Sequence, residues 1–342
     1  MLIVVLLLFV LLYKSNSLTK SSSGRINLND FLASSSSRPV TSLITSIASA
    51  SIKISEILRV LPLANLDDHQ TNGNSNSNAS GDQQKPLDIL SNEILKESIS
   101  NHVKYIISEE DEKETLCDAN SSLLVAIDPL DGSSNIDCNI PVGTIFGIFQ
   151  CNNDDGVLES TNNIIAAGYV LYSSSTEFVM STGDGTHGFT LDPTDSCFIL
   201  TRKNIITPKR GAYYSLNEAR SDDWPIGLQN YINDIKNGRG QWKGQRYSSR
   251  YVCSMVSDLH RTLLYGGWAA NPRSHLRLLY EAKPLSFLTE NAQGKATNGI
   301  DRILDMKAKS LHDRTPLFMG SCSDILELLS YGDVQQKGNI KY

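Results

Sequence analysis

Two aspartates three positions apart, Asp128 and Asp131, stand in the segment Asp128-Pro129-Leu130-Asp131-Gly132-Ser133-Ser134-Asn135 and are the residues of this chain best suited to chemistry. The apolar run at 123–127 reads as a short buried strand that delivers both carboxylates to the end of a sheet. Pro129 restricts the chain after the first acid, and Gly132 permits an otherwise strained turn. Ser133 and Ser134 then offer backbone N–H groups and hydroxyls to an anion. Carboxylates beside anion donors point to a hard divalent cation such as Mg²⁺, which takes oxygen ligands and shares them with phosphate and water. A second apolar run, 105–108, ends in Glu109 and Glu110. Taken alone, such an acidic run reads as a solvated loop. If the two strands are parallel neighbours, however, these acids meet Asp128 and Asp131 at the carboxyl edge of an α/β sheet, where ligands bind.

The remaining elements are those needed to position that turn. Leu43, Ile47, Ala50, Ile54, Ile57 and Leu58 recur at helical spacing and predict an amphipathic helix over 40–62. Residues 67–86 are polar and of low complexity, the composition of a linker, and end near Asp82, just ahead of Leu87-Asp88 and a helical segment over 89–100. Residues 143–149 read as a strand and 151–163 as a short polar connection. Over 164–206, apolar strands alternate with Gly183, Gly185 and Gly188, which predicts a meandering sheet closing a first domain. In the second half Asn217 follows a strand-like stretch, Arg250-Tyr251 precedes a helix over 254–264, and Arg277 and Glu281 flank an apolar run.

With these motifs in order, the chain resembles the class I fructose-1,6-bisphosphatases, within the metal-dependent sugar and inositol phosphatases. The resemblance rests on Leu87-Asp88-Ile89-Leu90-Ser91-Asn92, Ser108-Glu109-Glu110-Asp111, Asp128 through Cys138, Gly143-Thr144-Ile145-Phe146-Gly147-Ile148, Tyr214-Ser215-Leu216-Asn217-Glu218, His260 through Gly267 and Leu276-Arg277-Leu278-Leu279-Tyr280-Glu281. It implies an α/β fold, a layered αβαβα sandwich of the sugar-phosphatase type with two subdomains. It also implies hydrolysis of the 1-phosphate of fructose 1,6-bisphosphate with Mg²⁺ or Mn²⁺, in a homotetramer serving gluconeogenesis or the Calvin cycle. Carried over position by position, Asp82, Glu109, Asp128, the Leu130 carbonyl, Asp131 and Glu281 would hold metal, and Asp88 and Glu110 would activate water. Asp131, Gly132, Ser133 and Ser134 would hold the transferred phosphoryl group; Asn217, Tyr251, Asn271, Arg273 and His275 would hold the distal phosphate, with Arg250 from a neighbouring subunit. The chain departs from the family at Asn271 and His275, where a tyrosine and a lysine are usual, and Arg273 is expected to supply the lost cation. Ser122, Leu123 and Gln150 replace the family's AMP contacts, so AMP inhibition is not expected. Sedoheptulose-1,7-bisphosphatase is the nearest rival activity, and a catalytically inactive regulatory relative is the alternative of a different class.

Composition agrees with an enzyme acting on a small molecule. The 342 residues carry a formal charge of −6 with dispersed basic residues, and no aromatic-interleaved basic stripe invites a nucleic acid. Residues 2–13 are uncharged and apolar, of signal-peptide core length and short of a membrane span. Residues 17–38 are serine-rich, and a stable association with membrane is not expected once they are processed. The six cysteines have neither CxxC pairing nor zinc spacing and suit a reducing compartment. Together these imply a plastid stroma reached through the secretory route, which a fluorescent fusion to residues 1–40 would distinguish from a secretory lumen or cytoplasm. The expected division is a signal peptide at 1–16, a transit-like segment at 17–38, a metal-binding domain at 39–206, a substrate domain at 207–331 and a tail at 332–342.

Overall fold

The computed structural model describes residues 24–64, 85–152 and 156–336. The expected signal peptide and the loop residue Asp82 lie outside the described residues. The first half begins with helices α1 (Leu28–Ser35), α2 (Arg38–Ala64) and α3 (Pro86–Ile99). Strands β1 (Tyr105–Ser108), β2 (Thr115–Leu116), β3 (Leu123–Asp131), β4 (Val142–Gln150), β5 (Ile164–Tyr172), β6 (Thr176–Ser181), β7 (Thr186–Asp192) and β8 (Cys197–Ile205) then form an eight-stranded sheet in the order β2-β1-β3-β4-β5-β6-β7-β8. Strands β3 to β8 are an antiparallel meander, and β1 lies parallel to β3. That parallel pairing is the arrangement the acidic motifs required.

The second half contributes β9 (Tyr213–Ser215), α4 (Ile226–Lys236), β10 (Ser248–Ser249), α5 (Met255–Tyr265), β11 (Trp268–Arg277), α6 (Lys283–Asn291), β12 (Lys295–Thr297), β13 (Arg314–Gly320) and α7 (Cys322–Leu329). Its five strands run β10-β9-β11-β13-β12. Strand alternation sorts the side chains between layers. Ala269 and Met319 face inward with α5 and α6 against the first sheet, while Trp268, Ala270 and Phe318 face outward under α4 and α7. On the far face of the first sheet, α1, α2 and α3 pack on Val125, Ile127, Phe146 and Ile148. The layers are therefore α, β, α, β, α, as expected.

Helix α2 buries Leu43, Ile47, Ala50, Ile54 and Ile57 along one stripe. The chain enters the fold ahead of residue 39, where the first domain was expected to begin. Leu28 and Leu32 of α1 are buried in the first core, Asn27 bridges Ile199, and the Leu200 amide donates to the Ile26 carbonyl at 2.9 Å. Phe31 of the same helix packs on the core beside them, its ring 5.4 Å from that of Phe189, and the surrounding serines hid this short helix. Near the other end, Val334 is buried in the outer core, so the described part of the expected tail packs on the body. All six cysteines are free thiols, and no helix among the described residues is long and apolar enough to cross a membrane.

A titration couples the two layers that the site depends on. His260 of α5 shares a hydrogen bond of 2.9 Å between its Nδ1 and the Tyr169 hydroxyl on β5, and burial pushes its pKa down to about 4. Because the folded value lies below the unfolded one, the stabilisation is full above about pH 6.5 and is lost as pH falls towards 4. The half-buried ring is partly screened, so the expected loss attributable to this group is about 1–2 kcal/mol. Urea midpoints at pH 7 and pH 4.5 should therefore differ less in His260→Gln than in the parent; equal differences would refute the assignment.

Candidate active site

The aspartate turn owes its geometry to an irregularity in β3. Side chains three apart on a regular strand point to opposite faces. Here Asp128 pairs with Ile145 and Asp131 with Gly143, so β3 advances three residues where β4 advances two. The extra residue is a bulge, and Pro129, which cannot donate to a ladder, sits in it. The bulge restores both carboxylates to one face. Asp128 Oδ1 accepts from the Leu130 amide at 3.0 Å, and the Thr144 hydroxyl donates to the Pro129 carbonyl at 2.9 Å. Gly132 follows at φ 75, with a would-be Cβ 2.9 Å from Ser254 Cβ. A side chain there would meet both backbone strain and the start of α5.

Three further elements close on this turn. Ser254, the N-cap of α5, donates through Oγ to Asp131 Oδ2 at 2.7 Å, and the Val256 amide donates to the same oxygen at 3.0 Å. A helix N-terminus thus holds that carboxylate. The π-helical turn Leu278–Ala282 presents Glu281, whose Oε2 accepts from the Arg277 amide at 2.6 Å. At the end of β1 the Glu109 amide donates to the Ile127 carbonyl at 3.1 Å, and Glu109 Oε1 lies 3.0 Å from the Arg277 guanidinium. The adjacent Asp111 is neutralised by Lys96 at 2.5 Å, leaving Glu109 and Glu110 as the acids of that run that line the cleft.

Asp128, Asp131 and Glu281 are buried, and each offers an oxygen within 4.8 Å of the others'. Burial, followed by the neighbouring charge of Glu109, raises Asp128 well above the carboxylate range and pushes Glu281 up to about 8. Burial also raises Asp131, against the donors Val256 and Ser254. Buried carboxylates packed this closely disfavour their own ionisation unless a cation joins them. An all-oxygen donor set with that deficit fits a divalent cation such as Mg²⁺ or Mn²⁺.

A cleft of about 420 Å³ opens from this cluster, within the size range of small-molecule sites. It brings together Asp88, Glu109, Glu110, Asp128, Leu130, Asp131, Gly132, Ser133, Ser134, Asn217, Tyr251, Asn271, Arg273, His275 and Glu281. Asp88 arrives as the third residue of α3, behind Pro86, and its Oδ2 accepts from the Lys85 amide at 2.7 Å. Burial raises its pKa, against hydrogen bonds from Lys85 and Ser133. Arg250 is the exception: it is exposed, lies over the Tyr213 ring at 5.5 Å and is not among the residues lining this chain's own cleft.

Sequence reasoning did not assign Lys85, Arg220, Trp224, Ser254, Asp258 or Gln336 to the cleft that they line, nor the pairing of Arg277 with Glu109. Ser254 had a readable signal, a serine immediately before a helix. Arg220 and Asp258 had none, since each looks like an ordinary surface charge until the fold encloses it. Asp258 is pushed up to about 7 by burial, against hydrogen bonds from Ser215 and the Val252 amide.

The comparisons with known proteins agree with this architecture. Residues 24–203 match the family model "Fructose-1-6-bisphosphatase, N-terminal domain", and residues 207–333 match "Fructose-1-6-bisphosphatase, C-terminal domain". A class 1 fructose-1,6-bisphosphatase of Chlorobium phaeobacteroides is 42% identical over 267 residues, 73% of this chain and 80% of the relative. A cytosolic fructose-1,6-bisphosphatase of Brassica napus is 43% identical over 267 residues, 74% of this chain and 78% of its own. Among solved structures, the holo fructose-1,6-bisphosphatase of Leishmania major superposes with a TM-score of 0.82 at 34% identity, covering 90% of this chain and 99% of that one. With the two family models together covering residues 24–203 and 207–333 and the acidic cleft in place, the chain belongs to the fructose-1,6-bisphosphatase family.

Proposed function

We infer that this chain hydrolyses the 1-phosphate of fructose 1,6-bisphosphate to give fructose 6-phosphate and phosphate, using Mg²⁺ or Mn²⁺. The observation that carries the reading is a single cleft joining a buried carboxylate triad to a wall bearing Arg220, Arg273 and His275. One end suits a metal-bound phosphoryl group and the other a second anion. Asp128, Asp131, Glu281 and Glu109 would hold the metal, which supplies charge neutralisation and an acidified water. Gly132, Ser133 and Ser134 orient the phosphoryl oxygens through N–H and O–H donors. Asp88, with its raised pKa, and Glu110 are placed to take a proton from the attacking water at their carboxylate oxygens. Asn217, Tyr251, Asn271, Arg273 and His275 position the distal phosphate, so that binding at one end orients reaction at the other.

The exposed position of Arg250 supports its service to a neighbouring subunit in a homotetramer, which a light-scattering mass of four chains would register. Measuring phosphate release from fructose 1,6-bisphosphate, sedoheptulose 1,7-bisphosphate and inositol 1-phosphate, with Mg²⁺ and after chelation, tests the activity. The expected result is Mg²⁺-dependent release with the highest kcat/KM on fructose 1,6-bisphosphate. A higher value on the sedoheptulose ester would reassign the substrate, and no release from any of them would leave a regulatory relative.

A further inference from the structure

The cleft receives a polar side chain from the far end of the described chain. Gln336 is 7% exposed and lines the cleft, yet its carboxamide makes no hydrogen bond to another described residue. A carboxamide that lines a cleft and has no side-chain partner there is open to a hydrogen bond with a ligand. The strap that brings it there is tied down at each step. The Tyr331 hydroxyl donates to Asp234 Oδ2 at 3.0 Å, and its ring packs edge-on to Tyr231. Val334 is buried in the outer core, and Gln335 Nε2 donates to the Asn298 carbonyl at 2.8 Å. Finally the Gln336 amide donates to the Pro272 carbonyl at 2.8 Å.

Pro272 lies in the stretch of β11 between Asn271 and Leu276 where the pairing with β13 shifts register. Asn271, Arg273 and His275 of that stretch all line the cleft. The strap therefore delivers a carboxamide to the cleft beside the stretch that carries Arg273 and His275. We propose that Gln336 binds the distal phosphate of the substrate, its Nε2 donating to a phosphate oxygen alongside Arg273 and Arg220. This rests on the bisphosphatase reading above. A carboxamide suits the position: it adds a donor without adding charge to a wall that already carries two guanidinium groups.

Steady-state kinetics of Gln336→Ala and Gln336→Glu test it, together with inhibition by two monophosphates. Fructose 6-phosphate retains the distal phosphate, whereas fructose 1-phosphate lacks it. Losing the donor should raise KM for fructose 1,6-bisphosphate about fivefold in Gln336→Ala, and adding a like charge should raise it about thirtyfold in Gln336→Glu, with kcat within about twofold of the parent. The inhibition constant of fructose 6-phosphate should rise in step, and that of fructose 1-phosphate should stay within about twofold. Equal weakening of both monophosphates would mean that the strap only buttresses the cleft, and unchanged constants would remove Gln336 from it altogether; either overturns the proposal. A parent that hydrolyses no fructose 1,6-bisphosphate would overturn the proposed function itself, and this subsite with it.

Discussion

Asp131→Asn is expected to lower kcat by about 10³-fold at saturating Mg²⁺ while leaving the fold intact. The substitution keeps the shape and an acceptor oxygen for the Ser254 hydroxyl and the Val256 amide, which donate at 2.7 and 3.0 Å. What it removes is one of the three charges that converge within 4.8 Å. Burial already works against ionisation of Asp131, so neutralising it does not destabilise the metal-free protein. The melting temperature without metal should match or exceed that of the parent, while the upward shift produced by adding Mg²⁺ should shrink, because that shift measures metal affinity by linkage. Parent-like turnover, or a Mg²⁺-induced shift as large as the parent's, would show that Asp131 does not hold the metal.

The second large effect concerns a residue whose role becomes visible only in the folded chain. Arg277 is 4% exposed, and its guanidinium is the cation set against Glu109 at 3.0 Å beside the buried triad. Arg277→Met leaves the acids without that counter-charge, and breaking a buried pair by removing one partner costs about 3–5 kcal/mol. Metal-free Arg277→Met should therefore unfold at markedly lower urea, and Mg²⁺ should restore part of the loss. Adding Glu109→Gln should recover more of it, since the two substitutions remove the same interaction and their costs are not additive. Lysine is a poor substitute, because an ammonium cannot reproduce a planar fork. A midpoint in metal-free Arg277→Met equal to the parent's would refute this account of the cluster.

Much of the site could be read in the residues because its signals are local. A proline between two aspartates and a glycine after them mark a restricted chain and a turn, and an apolar run ending in Glu109-Glu110 marks a strand delivering acids to a sheet edge. The meander over 164–206 and the stripe Leu43, Ile47, Ala50, Ile54 and Ile57 are likewise periodicities that depend on neighbours in the chain. Helix α1 escaped because three apolar residues in a serine-rich stretch make too little pattern, although Leu28, Phe31 and Leu32 pack once a core exists to receive them.

What tertiary structure alone decided are the relations between distant segments. Ser254 meets Asp131 across 123 positions, Arg277 meets Glu109 between two subdomains, and Gln336 reaches the same cleft that Lys85 lines. Arg250, expected to serve the distal phosphate of a neighbouring subunit, is exposed and does not line its own chain's cleft, whereas Arg220, which carried no local signal, does line it. The physical reason is common to all of these. Periodicity and turn chemistry act over a few residues, whereas burial, the Coulomb field and an unmet hydrogen bond belong to a position in space. From its own residues the chain therefore specified the acids and the strands that carry them. Packing of the two sheets decided which oxygen accepts which proton, which arginine balances which carboxylate, and which end of the chain completes the pocket.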